Sequence, residues 1–130
     1  MNSPAADVMQ ILADAGIGAP AAETGWGIFI SREPAAPSTA ITLYDTGGYE
    51  PLYSTYIEHP TIQVRVRGDP GRYPQTYAKI QEIKTFLLGS DGVTVNDTTY
   101  SFWLQGDASF LLYDENSRPI FVANFRLMRR

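Results

Sequence analysis

The cleanest periodicity in the chain lies between Thr61 and Arg67, where Ile62, Val64 and Val66 alternate with Gln63, Arg65 and Arg67. A period of two puts the apolar set on one face of a strand and the polar set on the other. Phe121, Ala123, Phe125 and Leu127 alternate with Val122, Asn124, Arg126 and Met128, predicting a strand over Ile120–Met128. Shorter strands are expected at Trp26–Ser31, Ala40–Tyr44, Val93–Val95, Tyr100–Gln105 and Ser109–Tyr113. Two segments carry the helical period instead. Val8, Ile11, Leu12 and Ala15 form one stripe within Ser3–Gly16, where Ser3 suits the cap and Pro4 the first helical position. Tyr77, Ile80, Ile83, Phe86 and Leu87 make the apolar face of a helix over Pro74–Leu88, stopped by Gly89.

This order predicts an α+β fold: a mainly antiparallel sheet flanked by two helices. With 130 residues the chain makes one domain, spanning 1–130. The stretch from about 46 to 60 has no clear period but carries Tyr49, Tyr53, Tyr56 and His59. It reads as a projecting loop or hairpin arm, and a segment of that length in a compact domain usually has a task. Asp45, Gly47 and Gly48 read as the tight turn that launches it, or as a plain hairpin turn, because glycine tolerates positive φ.

The formal net charge of −4 argues against a protein built to grip DNA phosphates. Cysteine is absent and His59 is the one histidine, which removes thiolate chemistry and any His-based zinc site. No signal peptide and no apolar run of membrane length is visible, so cytoplasmic synthesis and no membrane partner are expected. Gly16-Ile17-Gly18-Ala19-Pro20-Ala21 loosely matches a dinucleotide fingerprint, but a helix precedes it where a strand is required, so it reads as a helix stop. Asn96-Asp97-Thr98 reads as a turn between strands. His59 has no recurrent carboxylate or nucleophile spacing around it, and the acid pairs Asp114/Glu115 and Glu50/Glu58 fit turn and loop solvation. No catalytic residue, metal site or cofactor is therefore expected, and the chain reads as a non-enzyme. Arginine outnumbers lysine eight to two, with Arg65, Arg67 and Arg72 close together. Arginine favours interfaces, so in an acidic chain this row points to subunit contacts rather than to DNA.

Ile41-Thr42-Leu43-Tyr44-Asp45-Thr46-Gly47-Gly48, the aromatic stretch after it, and Pro60-Thr61-Ile62-Gln63-Val64-Arg65-Val66-Arg67-Gly68 together resemble the minor capsid or tail terminator proteins of long-tailed bacteriophages. Tyr77–Ile83 and the acidic turn with Arg118 leading into Phe121–Arg126 fit the same family. The resemblance covers nearly the whole chain. It implies a structural virion protein of the tail or neck, assembled in the bacterial host cytoplasm. Such proteins form a ring, usually hexameric, that caps the head-proximal end of the tail tube, ends its polymerisation and provides the head–tail joining surface. The implied partners are other copies of the chain, the tube protein and a head connector or neck protein, with genomic DNA passing through the lumen unbound. Size permits this. A domain of this length is ~36 Å across, and six in a ring leave a hole of ~36 Å, wide enough for a ~20 Å duplex, whereas four leave ~15 Å. Tyr49, Tyr53, Tyr56, His59, Arg65, Arg67 and Arg72 are the candidate subunit-interface residues. The alternatives are another neck component, such as a head completion or connector protein, and a small ligand-binding or enzymatic domain using Trp26, Trp103 and the tyrosines.

Overall fold

A computed structural model of the chain describes residues 2–52 and 57–130. The elements run α1 (Pro4–Asp14), β1 (Ala19–Pro20), β2 (Gly27–Ile30), β3 (Ala40–Leu52), β4 (Ile57–Arg67), α2 (Tyr73–Leu88), β5 (Val93–Val95), β6 (Thr98–Leu104), β7 (Ser109–Tyr113) and β8 (Pro119–Arg129). They form one sheet in the order β1-β2-β3-β4-β8-β6-β5, with β7 also paired to β8. The β1–β2 and β2–β3 pairs are parallel and the rest antiparallel. The fold is thus α+β, as the hydrophobic pattern predicts.

Both helices cover the same face of the sheet. Val8, Ile11 and Leu12 of α1 and Ile80, Ile83 and Leu87 of α2 bury against Ile41, Leu43, Ile62, Val64, Val66, Phe102, Ala123, Phe125 and Leu127. At ~1.5–3 kcal/mol for each large apolar side chain fully buried, this layer dominates the stability of the domain. Tyr77 departs from the predicted apolar stripe: it is exposed, and buried Thr76 takes its place beneath α2.

Local chemistry sets the ends of α1. The Ser3 hydroxyl accepts from the Ala6 amide at 3.2 Å. At the other end Gly16, with φ +75°, donates to Ala13, while Ile17 donates to Leu12. That is a Schellman termination, and it accounts for the glycine-rich stretch without any nucleotide. Asp7 of α1 is a fully buried carboxylate. It accepts from the Tyr100 hydroxyl, from Asn96 Nδ2 at 2.8 Å and from Asn2 Nδ2 at 3.3 Å. Asn96 and Asp97 both have positive φ in the β5–β6 turn, so the expected turn also pins the helix.

The predicted boundary at Tyr44 is too early. β3 runs on to Leu52 and pairs with β4 from Ile57, so the described part of the aromatic stretch is hairpin strand rather than loop. β8 accompanies β4 as far as the Glu58–Arg129 pair. Asp45, Gly47 and Gly48 do not reverse the chain. They lie at a register shift inside β3, with φ +96° at Gly47 and +137° at Gly48. A bulge uses glycine for the same reason a turn does. Asp45 has a second task, because its carboxylate accepts from the Ala5 amide at 2.9 Å, one of the unpaired donors at the start of α1.

Candidate assembly surfaces

On the sheet face opposite the helices, Tyr49 and His59 are register partners, Thr61 faces Arg126, and Arg126 faces Trp103 across β6–β8. Tyr49, His59, Trp103 and Arg126 line an open depression of about 520 Å³. The Arg126 guanidinium lies over the Trp103 ring, 5.5 Å from its centroid. Gln105 Nε2 reaches the Tyr49 hydroxyl at 3.5 Å. Among the described residues Arg126 is exposed and makes no ion pair. Chemically this is an aromatic seat whose arginine is uncompensated among the described residues, suited to an apolar ring that carries or neighbours a carboxylate.

The predicted arginine row is not continuous with that seat. Arg65 and Arg67 stand six and eight residues along β4 from His59, ~20 and ~26 Å at the strand rise. Arg67 is 3% exposed and faces inward, contrary to its expected role at a subunit contact. It donates to Ser38 O at 3.0 Å, to Pro37 O at 2.8 Å and to Glu33 at 3.2 Å. The segment 31–39 crosses this end of the sheet and roofs the alternate face that a two-residue period assigns to solvent. Burial, then the nearby Arg118 charge, hold Arg67 below the usual arginine pKa, with Glu33 opposing. Arg65 is half-buried, its Nε 3.6 Å from Glu33. Arg72 is exposed just ahead of α2. Tyr53 and Tyr56 lie outside the described residues.

A second surface has no counterpart among the predicted site residues. Phe110, Tyr113, Tyr73 and Tyr77 are 37, 55, 41 and 48% exposed, and Leu111 and Leu112 beside them 45 and 44%. Tyr73, Tyr77 and Phe110 surround buried Phe121 at centroid distances of 5.0–5.7 Å. Taking ~200 Å² per ring, the exposed shares of the four aromatics sum to ~360 Å², within the range of patches that are often functional. β7 carries much of this patch, pairs among the described residues only with β8, and is exposed at every residue. Ser-Phe-Leu-Leu-Tyr has no charge and no proline to discourage pairing at its free edge. The signal was available in the sequence: β7 lacks the polar alternate positions that a half-wet strand requires.

The turn after β7 is closed by its own hydrogen bonds. The Asp114 carboxylate accepts from the Asn116 and Arg118 amides at 2.9 Å each and from Arg118 Nε at 2.7 Å. Burial works against ionisation of Asp114, but these bonds prevail and keep its pKa below the ordinary carboxylate value. Arg118 in turn donates to Ala35 O at 2.8 Å, tying the turn to the roofing segment. Among the described residues no group of acids and histidines is placed to hold a metal ion, and no helix is long and apolar enough to cross a membrane.

No curated protein matches the chain. A family model does, the one described as bacteriophage tail terminator protein, and it aligns with residues 11–129. The match runs from the last four residues of α1 to the last residue of β8, and so takes in the whole sheet, the aromatic seat and the open edge. On that coverage the chain belongs to the bacteriophage tail terminator family, structural proteins of the phage tail.

Proposed function

We propose that copies of this chain, six to a ring, cap the head-proximal end of the tail tube, stop its growth and present the surface that receives the head connector. The family match over residues 11–129 carries this reading. A ring needs two unlike patches on each copy. The seat at Tyr49 and Trp103 and the patch on β7 supply chemically different surfaces on different faces of one sheet. In this reading the hairpin residues Tyr49 and His59, with Arg65 and Arg72, contact neighbouring subunits, Arg67 serves inside its own, and duplex DNA passes through the lumen without specific contacts. The role is architectural and involves no bond-making.

Electron microscopy of tail tubes assembled with and without the purified protein tests the proposal. Tubes of fixed length bearing a six-fold cap at one end are expected with it, and overlong uncapped tubes without it. Twelve-fold rings that bind isolated portal and ignore tubes would make the chain a connector component instead. Tubes of unaltered length would refute the capping role.

A further inference from the structure

The aromatic seat and the β7 patch cannot meet within one copy. Pro119, which pairs with Tyr113, and Arg126, which lines the seat, are seven residues apart on β8, ~23 Å at the strand rise. Tyr113 also packs against Phe110 in a tilted pair on the helix side of the sheet, whereas the seat opens on the other side. A neighbouring copy has no such restriction. Glu115, two residues beyond Tyr113 at the turn, is exposed and makes no ion pair among the described residues. It is the acid complement of Arg126.

We propose that the β7 corner of one copy enters the Tyr49–His59–Trp103–Arg126 seat of the next, with Tyr113 against the Trp103 and Tyr49 rings and Glu115 paired to Arg126. The inference rests on the ring reading above and gives it a seam. Three features favour a second copy as occupant. First, charge is complementary: among the described residues Glu115 at the corner and Arg126 in the seat have no ion-pair partner. Second, the fit is generous: about 520 Å³ exceeds what a single side chain needs and lies in the ~300–1,000 Å³ range of ligand-sized clefts. Third, the area is proportionate. The ~360 Å² of exposed ring surface is just under half of the ~800 Å² that a standard interface takes from each partner, which is the size of an apolar core awaiting a polar rim. Because the two patches differ, the contact is head-to-tail and propagates around a ring.

The test is a charge-reversal cycle on the full chain: Glu115→Arg, Arg126→Glu and the double variant, read by native mass spectrometry with and without tail tubes. Both positions are exposed, and circular dichroism checks that each variant folds. Either single reversal should lower the ring fraction at least tenfold, and the double should restore it. Tyr113→Ser, which leaves all charges in place, should lower it as well. Rings from the single variants at the wild-type level would overturn the seam and leave the ring reading standing. Failure of the double variant to recover would also overturn the pairing. A wild-type protein that stays solitary even with tubes would overturn both.

Discussion

Removing the Tyr100 hydroxyl gives a prediction whose sign and size both follow from the structure. Tyr100 is fully buried and donates to the Asp7 carboxylate, while Arg129 Nη1 approaches its oxygen at 3.4 Å. Burial, reinforced by the hydrogen bond to Asp7, pushes its pKa up to about 12. In the unfolded chain the phenol returns to ~10. A raised folded-state pKa means that the contribution is complete below pH ~10 and is lost as pH climbs from ~10 to ~12. At pH 11 the linkage relation gives a loss of ~1.4 kcal/mol. At pH 7, Tyr100→Phe removes a hydrogen bond to a charged acceptor and is expected to cost ~2 kcal/mol, within the ~1.5–3 kcal/mol usual for such bonds. The gap between wild type and variant should therefore shrink from ~2 to ~0.6 kcal/mol between pH 7 and 11. Urea unfolding at both pH values measures it directly, since the other tyrosines are common to both proteins and cancel. A gap that stays constant, or widens, would refute the argument that Tyr100 is held neutral by burial against Asp7.

Three further outcomes are expected. Arg67→Ala removes the guanidinium that holds Pro37, Ser38 and Glu33 and should cost ~3–5 kcal/mol in chemical unfolding, with Arg67→Lys recovering little because one ammonium cannot reproduce the fork; a loss under 1 kcal/mol would remove the roofing segment from the stability argument. Gly48→Ala places a methyl 2.6 Å from Pro60 Cα at a φ of +137° and should cost ~2–4 kcal/mol while shifting the amide resonances of Tyr49 and His59, whereas a neutral effect would show that the bulge relaxes freely. Leu111→Lys with Leu112→Lys should leave monomer stability within ~0.5 kcal/mol, because both side chains are already wet, yet abolish self-association seen by sedimentation; a large fall in melting temperature would mean that β7 packs more tightly than its exposure indicates.

What the sequence disclosed follows from which elements have one wet face. β4 and the core of β8 bury alternate residues against the helices, so a slip of one residue would turn the apolar set outward, and their pattern is legible. α1 announces both ends through Ser3 and Gly16. The pattern predicts too short a β3 because Gly47, Gly48 and Pro51 interrupt the strand signal, yet its pairing with β4 absorbs them through register shifts. Arg67 is buried where the pattern predicts an open face, because alternation reports which face a residue occupies and nothing about what covers that face. The roof comes from 31–39, some thirty residues earlier, and only tertiary contact reveals it. The seat was legible only in pieces. Tyr49 and His59 stand out in the sequence, whereas Trp103 and Arg126 join them through the β4–β8–β6 order, which no local pattern encodes.

The β1 end of the sheet and the outer side of β7, which branches off beside β6, are treated in opposite ways, and this asymmetry bears on assembly. At one end β1 is two residues long and includes Pro20, which has no amide hydrogen to offer a further strand. That edge is closed to sheet extension. On the far side of β8, β7 presents five residues without charge, proline or covering element among the described residues. An unprotected apolar edge is a liability for a protein meant to remain solitary, because it recruits strands indiscriminately. It is an asset for a protein that must join a neighbour in one direction and then stop. In the proposed ring each β7 corner is covered by a neighbour, and a cap that leaves no such patch exposed gives a growing tube no surface to copy. On the proposed reading, the same blunt β1 end and sticky β7 side that favour ring closure also explain how polymerisation ends.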